Sequence, residues 1–317
     1  MQNAYVIGMD LGGTKISTAL CDLSGNIIYD EKISTLASQG ADAVINRLLD
    51  SIRSVIKHSN IPPDHIKGIG ISSPGPLSTS EGKVVFAPML NWRNVYLRDI
   101  VSEAFGMPVL LEKDTNAAAY GEKFLGAGKG YNNIIYITVS TGIGSGIICN
   151  GEIVHGKHDF AGEFGHICIY PGGRLCACGK NGCLEAYASG PSIVALAQES
   201  DLSGSSILTL SDNDISKIDC PIIAEAARSG DEFATTLWQQ MGTHLGHGVS
   251  ILLQLFDPDI VIFGGGVTHA WPLFYDAMAQ TVKENTFQMI SDDIILSQSG
   301  LGQNSCVLGA AMLAAHQ

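Results

Sequence analysis

Apolar and polar positions fall into short blocks at the start of the chain. Ala4–Asp10 is mostly apolar, Leu11-Gly12-Gly13-Thr14 reads as a glycine turn, and Lys15–Cys21 resumes an alternating pattern. Ser24-Gly25-Asn26 marks a second turn before Ile27–Ile33, so three strands joined by tight turns are predicted. The period then changes. Val44, Ile45, Leu48, Leu49, Ile52, Val55 and Ile56 share one face over Ala41–His58, while Asp42, Arg47, Asp50, Arg53 and Lys57 fall mostly elsewhere. That spacing predicts an amphipathic helix. A buried strand at Gly68–Ser72 stops at Pro74-Gly75-Pro76. Another at Pro108–Glu112 leads into a helix from near Thr115.

The same grammar returns in the second half. Ile134–Val139 is apolar and β-branched, Ser140–Gly146 is a glycine-rich turn, and Ile147–Cys149 resumes a strand. Two halves that each open with a glycine-turn hairpin suggest a duplicated α/β architecture, although such hairpins are common in unrelated chains. Residues 150–190 lack periodicity and read as a functional loop region. Pro221–Phe256 is long and helical in pattern. Ile260–Phe263 is a buried strand ending in Gly264-Gly265-Gly266, and Val307–Ala315 is a helix of small residues. No Pro/Ser-rich linker separates the halves, which places their boundary at a hinge near Thr115–Asn116.

Composition narrows the class. At ~150 residues per domain, 317 residues make about two domains, and 45% apolar against 15% charged residues excludes intrinsic disorder. Eighteen Lys+Arg against 31 Asp+Glu leave a net charge of −13, which argues against nucleic acid or an anionic membrane as partner. Met1-Gln2-Asn3 offers no positive n-region. The uncharged stretches Tyr131–Gly151, Trp238–Phe256 and Ile294–Gln317 are all interrupted by polar residues, so neither a signal peptide nor a membrane span is predicted. A soluble, cytoplasmic protein follows. Of eight cysteines, three crowd into residues 176–183, and the scattered five read as small buried hydrophobes.

Three glycine turns follow apolar strands: Gly12-Gly13, Gly142–Gly146 and Gly264–Gly266. Backbone N–H groups in such turns can cradle phosphate without any cation. Asp10, just before the first turn, reads as a magnesium-serving carboxylate or as a turn cap. Thr14 and Thr141 offer hydroxyls beside the phosphates, and Lys15 points at phosphate or at solvent. Neither the P-loop nor the Gly-x-Gly-x-x-Gly fingerprint fits these turns.

The strings DLGGTK (10–15), EKDTNAAA (112–119), TGIGSG (141–146), EFGH (163–166), CACGKNGCLEAYASG (176–190) and FGGG (263–266), in this order, closely resemble the ROK (repressor, open reading frame, kinase) family over roughly residues 4–315. The resemblance implies an α/β chain with the two-lobed actin-like/hexokinase ATPase fold and a central cleft. Residues 1–115 plus 305–317 would form the N-terminal lobe. Residues 116–304 would form the C-terminal lobe with a zinc-binding loop.

It also implies a sugar kinase using ATP and Mg2+. Asp10, Gly12, Gly13, Thr14, Lys15, Thr141, Gly142, Gly144, Gly265 and Gly266 would bind the nucleotide. Asp114, which the sequence alone reads equally as a helix N-cap, becomes the catalytic base. Gly75, Asn91, Lys113, Glu163, His166 and Glu185 become sugar-binding residues. His166, Cys176, Cys178 and Cys183 give the one-nitrogen, three-sulfur set of a structural Zn2+ site, with His166 serving both metal and sugar. The remaining histidines have no such context and read as surface or helix residues.

A glucose-like sugar phosphorylated at its 6-hydroxyl is the leading substrate. Allose, N-acetylmannosamine, fructose and mannose are the alternatives, because Lys113 and Met89 stand where many family members have Asn. Homodimers are common in the family. A sugar-responsive repressor is the rival reading. It is disfavoured by the acidic charge and by a first motif at Asp10 that leaves no room for a preceding helix-turn-helix.

Overall fold

A computed structural model describes residues 4–316. Residues 1–3 and 317, which carry the ends of the expected N-terminal lobe and the positions tested for a leader, lie outside the described residues. By internal contacts the chain forms two compact units. The first comprises Met1–Tyr136, Gly146–Ala161 and Ser299–Gln317, and the second Ile137–Ser145 and Gly162–Gln298.

The first unit is built on a five-stranded sheet. Strands β1 (Tyr5–Leu11), β2 (Lys15–Asp22) and β3 (Ile27–Ser34) form an antiparallel meander. Helix α1 (Ala41–Ser59) then leads to β4 (Ile66–Ser73), which runs parallel to β1. A small antiparallel sheet follows, made of β5 (Leu77–Ser78), β6 (Lys83–Ala87) and β7 (Trp92–Val95). After α2 (Leu97–Phe105), β8 (Val109–Lys113) joins the main sheet beside β4 and turns directly into α3 (Asp114–Leu125). The sheet order is β3-β2-β1-β4-β8.

Alternation along these strands makes two cores. Ile7, Met9 and Leu11 of β1 and Ile16 and Leu20 of β2 pack with Val44, Leu48, Ile52 and Val55 of α1. Val6, Ala19 and Cys21 belong to a separate cluster on the C-terminal residues Val307, Leu308, Ala311 and Met312.

A second sheet, of order β11-β10-β9-β12-β13, contains β9 (Ile134–Val139), β10 (Ile143–Cys149), β11 (Glu152–Ile153), β12 (Ile260–Gly264) and β13 (Ile295–Gln298). The division between units passes inside β9 and β10. The second unit adds α4 (Glu185–Ala188), α5 (Gly190–Gln198), α6 (Ser206–Leu210), α7 (Cys220–Arg228), α8 (Glu232–Phe256), α9 (Trp271–Asn285) and α10 (Gln288–Asp293). Every residue of β12 is buried, as its unbroken apolar run predicts for a parallel strand covered on both faces.

Three features differ from the sequence expectation. The helical run Pro221–Phe256 is two helices, because Ser229-Gly230 ends α7 and Asp231 caps α8 by accepting the Ala234 N–H at 2.9 Å. The second glycine turn is shorter than its glycines suggest. Ser140 N donates to Gly142 O at 2.9 Å, and β10 already begins at Ile143, so Gly144 lies within a strand. The first unit continues through α3 to Tyr136 instead of ending near residue 115.

Helix α11 (Ser305–Ala315) returns to the first unit and explains its own composition. Gly8 and Gly70 face each other in register on β1 and β4. A Cβ on Gly70 would lie 1.8 Å from Ala310 O, and one on Gly8 would lie 2.0 Å from Val307 O. The helix backbone therefore rests directly on the sheet, which only glycine beneath and small residues above allow.

Candidate functional site

The sheet of the first unit places three polar residues in one row at its strand ends. Asp10 of β1 registers with Ser72 of β4, and Ser72 with Glu112 of β8. Ser72 Oγ donates to Asp10 Oδ1 at 2.9 Å. Burial pushes the Asp10 carboxyl above its ordinary 3.8, against the opposing pull of the Ser72 bond and the Lys15 charge. The first glycine turn is closed by Gly12 N–H on Lys15 O (2.9 Å) and braced by Thr35 Oγ1 on Gly12 O (2.7 Å). Thr14 and Lys15 are exposed, and Met89 packs against Gly13.

Asp114 opens α3 immediately after β8. It is half-buried, and its Oδ1 accepts the Thr115 N–H at 2.7 Å. The strand delivers the carboxylate and the helix N-terminus holds it, as the Asp-x-Asn-Ala-Ala string suggests. Lys113 is 8% exposed and donates from Nζ to Ala161 O at 2.9 Å. Gly75, at φ 89°, carries the chain away from β4 against Phe86 O. Asn91 is exposed and left-handed (φ 54°) at the end of a short 3-10 turn, just before β7.

In the second unit, Glu185 opens α4 and accepts the Ile143 N–H through Oε2 at 2.9 Å. This bond joins it to the turn that carries Thr141 and Gly142. A cavity of about 580 Å³ is lined by Thr141, Cys176, Glu185 and Ser189 among others. Glu163 and His166 flank a short 3-10 turn and are both exposed. The third glycine turn is bent by Gly265 at φ 90°. Beside it a cavity of about 510 Å³ is lined by Gly266, Val267, His269, Ile222, Arg228 and Trp238.

The cysteine loop converges on one point. Ligand atoms of His166, Cys176, Cys178 and Cys183 all lie within 4.8 Å of one another. Cys176 Sγ is 3.8 Å from His166 Nδ1, and Cys178 Sγ is 3.7 Å from Cys183 Sγ. Bonds of about 2.3 Å in a tetrahedron require edges of about 3.8 Å, so the cluster has the dimensions of a four-coordinate metal site. Burial pushes the Cys183 thiol up to about 12 and that of Cys176 upward, while the Lys180 N–H pulls Cys178 down. A divalent cation is the group that lets three such sulfurs, those of Cys176 and Cys183 buried, shed their protons together.

Sequence reasoning missed several partners. Ser72 escaped notice because its approach to Asp10 depends on strand register. Two histidines read as surface or helix residues are engaged. His155 Nε2 meets Glu112 Oε2 at 2.7 Å, and His244 Nδ1 meets the Tyr170 hydroxyl at 3.1 Å. Burial lowers His244 to about 4. Among the described residues, no helix is long and apolar enough to cross a membrane.

The family model described as "ROK family" matches residues 6–317. A glucokinase of Streptomyces coelicolor (strain ATCC BAA-471 / A3(2) / M145) is 35% identical over 316 residues, covering 97% of this chain and 96% of the relative. The xylose repressor of Bacillus subtilis (strain 168) is 34% identical over 309 residues, 98% of this chain and 76% of the repressor. A ROK family glucokinase from Streptomyces griseus, solved in complex with glucose and AMPPNP, superimposes with a TM-score of 0.84 at 33% identity, covering 99% of this chain and all of the other. The architecture is accordingly the α/β actin-like/hexokinase ATPase fold.

Proposed function

Because the chain belongs to the ROK family, we propose that it is a sugar kinase that transfers the γ-phosphoryl of ATP to the 6-hydroxyl of a glucose-like hexose. The observation that carries this reading is Asp114, a half-buried carboxylate delivered by β8 and oriented by the Thr115 N–H in the first turn of α3. A carboxylate so held can accept the hydroxyl proton as the sugar oxygen attacks phosphorus. Glucokinase relatives that span nearly the whole chain support the same class.

Other residues take supporting roles in this reading. The turns at Gly12-Gly13 with Thr14 and Lys15, at Thr141-Gly142 with Gly144, and at Gly265-Gly266 offer backbone donors and close approach to the nucleotide. The mostly apolar cavity beside Gly266 suits a nucleotide base. Asp10, in its row with Ser72, would serve Mg2+, which spreads and neutralises phosphate charge when bound. Glu163, Glu185 and His166 supply fixed acceptors and a ring nitrogen for sugar hydroxyls, with Gly75, Asn91 and Lys113 completing the set.

His166, Cys176, Cys178 and Cys183 fit Zn2+. His166 turns Nδ1 toward Cys176, leaving Nε2 for the sugar. Glucose is the first candidate substrate. Allose, N-acetylmannosamine, fructose and mannose are the alternatives.

A coupled assay of ~20 sugars with ATP and Mg2+ tests the class directly. One hexose should be turned over, and Asp114→Asn should cut kcat by about 10²–10⁴-fold while calorimetric sugar binding survives. Absence of turnover on every hexose, or a fully active Asp114→Asn protein, overturns the reading. The xylose repressor relatives support a second reading, sugar-responsive DNA binding. A gel-shift on the DNA flanking its own coding region decides it, and no shift is expected.

A further inference from the structure

Glu112 is the residue before Lys113 at the end of β8. It is 5% exposed, and no role above uses it. Its two oxygens are divided. Oε1 accepts the Lys113 N–H at 2.8 Å and Asn116 Nδ2 at 2.9 Å, so it grips both sides of the turn on which Asp114 sits. Oε2 meets His155 Nε2 at 2.7 Å.

His155 follows β11 in a segment of the first unit that is tied down repeatedly. Thr79 N and Oγ1 donate to Asp159 at 3.2 and 2.9 Å, Lys113 Nζ donates to Ala161 O, and Ala161 N–H closes back on His155 O at 3.1 Å. The imidazole is 35% exposed, so protons exchange with solvent.

We propose that His155, paired with Glu112, is a positioning residue for Asp114: the pair fixes the Glu112 carboxylate, and Glu112 fixes the turn that presents the base. The proposal rests on the reading of Asp114 as that base. A carboxylate this buried costs folding energy unless a cation answers it, and an imidazolium does so from outside the turn. The charged groups that face the ring are Glu112 on β8 and Asp159 on its own segment, both favouring the cation, and Lys113 on β8, which opposes it. The Glu112 bond is the largest influence, and it raises His155 above its ordinary 6.5.

The folded-state value therefore exceeds the unfolded one. The ion pair's stabilisation is complete below about 6.5 and is lost as pH rises through the higher folded value. Loss of that charge should slow transfer without weakening sugar binding.

The test compares single-turnover rates and sugar KM from about pH 5.5 to 9.5 for wild type, His155→Gln and His155→Arg, alongside an NMR titration of the His155 ring. An alkaline fall in the wild-type rate at constant KM is expected. The Gln variant should be about tenfold slower where His155 is charged and should converge on wild type as the wild-type rate falls, and the Arg variant should recover the rate without the alkaline fall.

A Gln profile that overlays wild type, an Arg variant no better than Gln, or an effect on KM alone overturns the proposal. If the Gln variant fails to fold, the Arg profile and the ring titration decide, since a ring midpoint at or below about 6.5 also overturns it. A wild type inactive on every hexose refutes the kinase reading, and with it the positioning role. An active wild type with indifferent variants refutes only the present inference.

Discussion

Glu185 Oε2 accepts the backbone N–H of Ile143 at 2.9 Å, while its Oε1 stands 3.8 Å from Cys176 Sγ. One carboxylate thus bridges the base of the second glycine turn and the metal-dimensioned cysteine loop. The Ile143 N–H holds it in place, as a fixed acceptor for a sugar hydroxyl requires. Glu185→Gln keeps the shape and removes the charge. Sugar KM should rise about 10- to 100-fold, the range of a lost charge-assisted hydrogen bond, with metal content unchanged. Unaltered sugar affinity by calorimetry would remove Glu185 from the binding site.

The cysteine loop makes a separate prediction. Cys178→Ser replaces one sulfur of the four-atom cluster. Metal content by plasma mass spectrometry should fall from about one zinc per chain to a small fraction, and the melting temperature should fall with it. Sugar binding should weaken as His166 loses its anchor. Zinc retained at one per chain would show that these four residues are not the ligand set.

Asp10 links stability to pH. Its folded value is raised above 3.8, so the unfolded chain ionises first. Ionisation therefore costs folding energy, a cost absent below pH 3.8 and complete above the folded value. Asp10→Asn should melt higher than wild type at pH 7 and lose that advantage as pH falls toward 4, while phosphorylation collapses. Thermal unfolding at several pH values, followed by circular dichroism, checks both signs. An Asn variant less stable at pH 7 would contradict the assignment of a charge held at a cost.

Gly70→Ala tests the close seat of α11. The new methyl would lie 1.8 Å from Ala310 O. Strand β4 and α11 must separate, at a cost of about 3 kcal/mol or more. Urea unfolding should show a lower midpoint. A change below about 0.5 kcal/mol would mean the helix can shift freely.

Much of the first unit was legible in the sequence. The period of α1 and the turns between β1, β2 and β3 are local signals, and each element formed where its pattern lies. Other elements gave weaker signals. Strands β5 to β7 span two to five residues each, and β13 is largely exposed, so neither shows a hydrophobic period. Gly144 misled the reading of the second turn, because glycine marks turns but does not forbid a strand.

The chain by itself determined what adjacent residues can encode: helical and extended periods, the glycine turns, and a cysteine loop whose spacing of a few residues closes on itself. Tertiary structure alone decided what lies side by side across long separations. Asp10 meets Ser72 from 62 positions away, and His155 meets Glu112 from 43. The first meeting depends on the register of parallel strands, where a slip of one residue turns every side chain to the opposite face, and the second on the loop after β11 folding back onto the end of β8. No local pattern carries that register, because it is set by the packing of α1 and α11 on either face of the sheet.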